Sequence, residues 1–415
     1  QELSNCPLYY NNTMPDYVEG EDVVVSTELN TWMEETLETY LKTVVEAFPP
    51  DRVDDATVFK GVGGRAYMFL RLYTRTNNAT YLDVASSYME TALQHIGSIR
   101  QDAVGFLWGR TGLYTLGAVV SSLKEDTDAA NGYIAQVQAM FDMSTDDNFS
   151  PWDDLDAGRA GLIYAASFLQ KFYGKDVITR ASIKEVALAT VRRGKALSDD
   201  PQHYLQWISP NDGGKWLGTS HGSAGVLSQL LDVPEILEEG SESRRLIIGT
   251  LDYIVSKQFT SGNFPSEYYD DDEDVLVQWD HGAPGIMATL AKAAKIIGDS
   301  SYEDSARKAA DCTWERGLLY KGLMLCHGIS GNTYMQLSLY NILGDEKYLS
   351  RALSFTQFVM DTPDLSDVNL MRKPTPSPYY FFPASWESAI MLYADLLSSQ
   401  DSWSQLGMPG FEPSL

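Results

Sequence analysis

The 415-residue chain carries 57 acidic against 31 basic side chains, a formal charge of −26, which excludes the basic face that nucleic acid requires and disfavours anionic membrane surfaces. Its 44% hydrophobic content suffices for a large core, yet no apolar run reaches the length of a membrane span. Three cysteines cannot build a disulfide framework, since one must be left over.

Residues 1–25 have few periodic apolar positions and read as an extended, acidic lead-in to one domain spanning 26–415. The chain opens at Gln1 and holds N-x-Ser/Thr sequons at Asn11, Asn78 and Asn148, each in a segment that reads as loop, which leaves a secreted glycoprotein open. Further on, two kinds of helix alternate. Asn77-Asn78-Ala79-Thr80 reads as a turn, after which Tyr81, Val84, Ala85, Tyr88, Met89 and Ala92 follow the spacing of an amphipathic helix. Ala160-Gly161-Leu162-Ile163-Tyr164-Ala165-Ala166 is apolar nearly all round and so expects burial on every side. The acid run Asp270-Asp271-Asp272-Glu273-Asp274 lacks the spacing and glycine of a calcium loop and reads as a solvated loop. Cys312 falls in a predicted helix as a plain buried thiol, and Tyr348, Leu349, Ala352, Phe355, Phe358 and Val359 mark another amphipathic helix.

The apolar helices open with Gly-x-x-Gly, at Gly61, Gly109, Gly158, Gly222, Gly282 and Gly328, at intervals of roughly 45 to 65 residues. Ser385-Trp386-Glu387-Ser388 is a degraded seventh copy with small residues at both positions. Strands are scarce. Seven pairs of one outer and one inner helix predict an all-α fold, an (α/α)7 toroid with the inner helices side by side. Glycine at the inner N-termini allows the backbones to crowd. The inner N-termini then gather at one end, where unpaired N–H groups are expected to make the surface electropositive.

The residues just before the glycines converge there. They include His221, His281 and His327, three of the chain's five histidines, and one step earlier Ser220, Asp280 and Cys326. Cys, His and Asp are ordinary zinc ligands, and a catalytic zinc takes three protein ligands with a fourth position open. The set indicated is Asp280, Cys326 and His327. His95 and His203 lie outside the tips and read as structural or surface residues.

The tips Cys326-His327-Gly328, Asp280-His281-Gly282-Ala283-Pro284-Gly285 and His221-Gly222-Ser223-Ala224-Gly225 resemble those of the lanthionine synthetase C-like (LanC-like) proteins. Ser261-Gly262-Asn263-Phe264-Pro265 and Tyr320-Lys321-Gly322 extend the resemblance from about residue 50 to the end. It implies an (α/α)7 toroid, a cytoplasmic setting, and a catalytic zinc held by two cysteines and a histidine. The implied chemistry is Michael addition of a thiol, from glutathione or a peptide cysteine, to dehydroamino acids in a peptide or protein. His221 matches the acid/base histidine, while Lys321 and Arg372 match positions that contact glutathione. His281 joins them as a substrate-side residue.

Asp280 departs from the pattern, standing where the family has its first zinc cysteine. Either Asp280 ligates through oxygen and zinc is retained, or metal affinity is lost and the site is a non-catalytic binder of peptide or glutathione. A third reading is an α/α-toroid glycoside hydrolase, which needs a pair of carboxylates. Asp153, Asp154, Asp156 and Glu387, beside Trp152 and Trp386, supply candidates, but that reading leaves Cys326 and the registered histidines unused.

Overall fold

In the computed structural model, residues 8–271, 273–368, 384–399, 402 and 407–411 are described. Among these the regular structure is entirely helical. The first helix, α1 (Thr27–Ala47), is followed by α2 (Val62–Thr76), α3 (Ala79–Gln94), α4 (Arg110–Leu123), α5 (Thr127–Ser144), α6 (Arg159–Tyr173) and α7 (Arg180–Leu197). Then come α8 (Ser223–Leu230), α9 (Glu242–Ser256), α10 (Ala283–Ile297), α11 (Ser300–Arg316), α12 (Ile329–Leu343), α13 (Glu346–Met360), the one-turn α14 (Pro363–Ser366) and α15 (Ala384–Leu397).

The even-numbered helices from α2 to α12 form an inner ring, each packed on the next, and α15 closes it by packing on both α12 and α2. The expected seven-fold toroid is therefore present, with one refinement. Six outer helices follow their inner partners directly, whereas α15 is backed by α1, so the seventh pair joins the two ends of the chain. The two rings are capped differently. The outer helices α1, α3, α5, α7, α9, α11 and α13 receive side-chain caps from Ser26, Asn78, Asp126, Thr179, Ser241, Asp299 and Asp345. Inner helices α2 to α12 are capped by the motif glycines, with no side-chain bond.

At most tips the inner N–H groups are satisfied by the tip loop folding back on itself, whereas at α10 Ala283 N donates to Asn263 Oδ1 at 2.9 Å. Ile329 N donates to Gly322 O at 2.8 Å, Ser223 N to Trp216 O at 3.0 Å and Ala224 N to Leu217 O at 3.1 Å, each seven residues back. The expected electropositive end of unpaired amides is thus corrected, because buried N–H groups must find acceptors and here the loop supplies them. The reason for the second motif glycine changes accordingly. A Cβ on Gly331 would lie 1.7 Å from Leu325 O, and one on Gly225 1.9 Å from Thr219 O. The crowding comes mainly from the loop's own carbonyl six residues earlier rather than from a neighbouring helix.

Buried charge closes the ring. Arg71 and Arg75 of α2 converge on Asp395 of α15, which is fully buried; Arg75 Nε lies 2.8 Å from it, and Tyr334 Oη donates to it at 2.8 Å. Burial opposes this carboxylate, but the two guanidiniums hold it below the ordinary range. Nearer the tips, Arg65 is shared between Glu387 at 3.2 Å and Asp54 at 2.6 Å, and burial pushes the Glu387 carboxyl up to about 8.

Residues 8–25 run as a strap along the sixth repeat. Tyr10 N donates to Leu318 O at 2.7 Å, the Tyr10 ring stacks on Tyr320 at 4.0 Å, and Asp16 grips Arg351 at 2.7 Å. The acid run is more engaged than a solvated loop: Asp274 takes Arg316 at 2.7 Å and Asp271 takes Lys257 at 2.6 Å. Cys312 is buried as expected, which pushes its thiol up to about 12. His95 and His203 are exposed, the latter against Asp200 at 2.7 Å. Asn11 and Asn148 are exposed, and Asn78 caps α3. No helix among the described residues is long and apolar enough to cross a membrane.

Removing one partner of a buried ion pair strands the other, at about 3–5 kcal/mol. Asp395→Ala is expected to lose that much in denaturant unfolding. Asp83→Ala, at an exposed pair with Lys124, is expected to change stability by less than about 1 kcal/mol. Equal losses in the two variants would show that α15 is not locked by this cluster.

Candidate metal centre and its acid–base pair

The tip loops are stitched to one another by backbone hydrogen bonds. Phe59 N donates to Leu107 O at 2.9 Å and Trp108 N to Asp156 O at 2.8 Å. Thr219 N donates to Asp280 O at 3.1 Å, and Asp280 N to Cys326 O at 3.0 Å. Positions in register before each glycine are thereby drawn together across repeats.

One result is a cluster of Asp280, Cys326 and His327, all buried, whose ligand atoms lie within 4.8 Å of one another. His327 Nδ1 is 2.9 Å from Cys326 Sγ. The donor set suits a divalent ion: a thiol sulfur, an imidazole nitrogen and a carboxylate. Asp280 Oδ1 is buried with no hydrogen-bond partner among the described residues, an arrangement that costs free energy unless a cation or proton faces it. Without a cation, burial and then Asp280 and Asp156 push the Cys326 thiol well above the usual range. Burial likewise lowers His327 to about 4, so its ring is neutral and able to ligate.

Beside this cluster stands a second group that the sequence reading did not assemble. His221 Nδ1 lies 3.2 Å from Asp156 Oδ2 and 4.0 Å from Asp154 Oδ2. Ser220 Oγ donates to Asp156 Oδ2 at 2.5 Å. Burial opposes a charge on His221, but Asp156, Asp280, Asp154 and Asp212 together outweigh it and raise its pKa. Asp156 is itself raised, by burial and then by Asp154 and Asp280. One imidazolium cannot neutralise all the carboxylates packed around it. The signal for Asp156 was present: it stands two residues before Gly158, as Asp280 and Cys326 stand before their glycines.

The other expected residues are distributed around these two groups. His281 Nε2 lies 3.3 Å from Asp280 Oδ2, with the Trp216 ring packed against it at 4.9 Å. Lys321 is exposed and donates from Nζ to Gln278 Oε1 at 2.9 Å. Arg372 lies outside the described residues. The carboxylates that a glycosidase would need have other work. Asp153 is held by Arg159 at 2.9 Å and Arg193 at 2.8 Å, Asp154 Oδ1 accepts from Ala157 N and Gly158 N, and Glu387 faces Arg65.

With its pKa raised, His221 keeps its proton above the pH at which a free imidazole loses it, and loses it as pH rises through the raised value. Asp156→Asn removes the nearest supporting charge. NMR titration of the chain's five histidines is expected to show the His221 resonance titrating at lower pH in Asp156→Asn than in the parent. An unchanged or higher midpoint would contradict the pairing.

Comparison with known proteins gives a consistent picture. A family model described as lanthionine synthetase C-like protein matches residues 52–380. The LanC-like protein GCL1 of Arabidopsis thaliana is 30% identical over 367 residues, covering 86% of this chain and 81% of that protein. The glutathione S-transferase LANCL1 of Danio rerio is 28% identical over 313 residues, covering 74% and 75%. Among solved structures, nisin cyclase superposes with a TM-score of 0.60 at 15% identity, covering 89% of this chain and 99% of that one.

Proposed function

The chain belongs to the lanthionine synthetase C-like family, and we propose that it is a zinc-dependent enzyme adding a thiol to dehydroamino acids. The observation that carries this reading is the buried Asp280, Cys326 and His327 cluster with the raised His221 beside it. The thiol is glutathione, which the name of the Danio rerio relative suggests, or a peptide cysteine. Zinc held by Asp280, Cys326 and His327, with one position open, would stabilise the substrate thiolate at neutral pH.

The remaining chemistry falls to the chain's own side chains. The thiol gives up its proton to solvent water, from which His221 is later reprotonated, and sulfur forms a bond to the β-carbon of the dehydroamino acid. The C=C π pair moves toward the carbonyl, and the α-carbon then takes a proton from His221. The sum is addition of S–H across the double bond. Asp156 holds the His221 ring and favours its protonated form, the state needed to donate. Lys321, exposed with its ammonium near Gln278, would receive a substrate carboxylate, the role also proposed for Arg372.

Elemental analysis of chelator-rinsed protein is expected to find about one zinc per chain, lost in Cys326→Ala. Wild-type protein without metal would leave a peptide- or glutathione-binding scaffold in place of an enzyme. In an assay of glutathione addition to a dehydroalanine peptide, His221→Ala should lower kcat by about 10²- to 10⁴-fold while retaining its zinc. Unchanged turnover in that variant would remove His221 from the mechanism.

A further inference from the structure

We propose that Asp280 and His281 work as a pair, the carboxylate giving one oxygen to the metal and the imidazole fixing which one. The site then has a single thiolate donor and suits a harder ion than a two-thiolate site takes. This rests on the reading that Asp280, Cys326 and His327 hold a metal.

Three observations converge. Asp280 is 3% exposed, which leaves its side chain little room to swing, and its backbone is held from both sides, by Thr219 N and by Cys326 O. Oδ2 is turned to His281 Nε2 at 3.3 Å, while Oδ1 is buried without a hydrogen-bond partner among the described residues. The His281 ring is in turn packed by Trp216, at 4.9 Å between ring centres. One oxygen thus faces the imidazole and the other is left for a cation. Carboxylates that ligate metals are commonly oriented by a partner of this kind, and losing the partner weakens the site. His281 is therefore a positioning residue that acts through Asp280.

The consequence for the ion follows from donor chemistry. Aspartate and cysteine thiolate both bring one negative charge, so charge does not distinguish Asp280 from a cysteine in its place. Softness does: carboxylate oxygen favours hard ions and sulfur favours soft ones. A set of one sulfur, one nitrogen and one oxygen should prefer thiophilic cadmium over zinc less strongly than a set of two sulfurs and one nitrogen.

The test titrates zinc and cadmium against a chromogenic chelator in the full chain, for the parent, His281→Ala, His281→Gln and Asp280→Cys. Cobalt(II) absorption serves as a second readout. His281→Ala is expected to weaken zinc binding about 10- to 100-fold. His281→Gln should restore most of the loss, because its amide nitrogen can reach Asp280 as the imidazole nitrogen does. Asp280→Cys should raise the cadmium-to-zinc preference and strengthen the sulfur-to-cobalt charge-transfer band. Unchanged affinity in His281→Ala, or no rescue by glutamine, overturns the positioning role. Asp280→Cys with the parent's cadmium-to-zinc ratio overturns the ligand role of Asp280 while zinc binding by the parent stands. A parent that binds neither ion overturns the underlying metal reading, and this inference with it.

Discussion

The backbone hydrogen bonds running from tip loop to tip loop are the constraint on which the site depends. Loops such as those before α8 and α12 fold back so that their own carbonyls satisfy the first turn of the inner helix behind them, and this tight fold admits no Cβ at the second glycine, Gly225 or Gly331. The remaining backbone groups are then left to bond the neighbouring repeat. Thr219, Asp280 and Cys326 are threaded in this way through three successive repeats. Residues 46 to 61 positions apart in sequence are placed side by side by main-chain bonds, which do not depend on the side chains they carry.

The same end of the toroid concentrates buried charge. Asp154, Asp156 and Asp280 surround His221, and the imidazolium is favoured because it is the cheapest way to compensate them. Elsewhere buried carboxylates are met by arginine, as at Asp153 and Asp395. A histidine at the tips instead gives a group that can release its proton. Arginine, always charged, could balance the same carboxylates but could not serve as an acid. The contrast separates the charge that locks the ring from the charge available for chemistry.

Much of this was legible in the sequence, for identifiable reasons. The Gly-x-x-Gly period announced the inner helices because close backbone packing leaves no alternative to glycine, and the count of seven followed. Asp280, Cys326 and His327 were found because unusual residue types recurred in register. Asp156 escaped because aspartate is common, and its neighbours Asp153 and Asp154 obscured the register. The pairing of α1 with α15 was also hidden, since nothing local marks a contact between chain ends. The unpaired amides expected at the tips were a misreading of the glycines: the loop that requires them also consumes the N–H groups.

Asp280, standing where the LanC-like resemblance leads one to expect a cysteine, shows what this framing permits. In a site built by side-chain packing, exchanging a sulfur for a carboxylate would disturb the frame that positions it. Here the residue is held through its N–H and C=O, so the exchange leaves the frame intact and alters only what is presented at its centre. The new carboxylate does bring a second oxygen that must be accommodated, and the adjacent His281, supported by Trp216, faces it. The ring stitched by the main chain sets where the register side chains gather, and their identities set which donor atoms meet there.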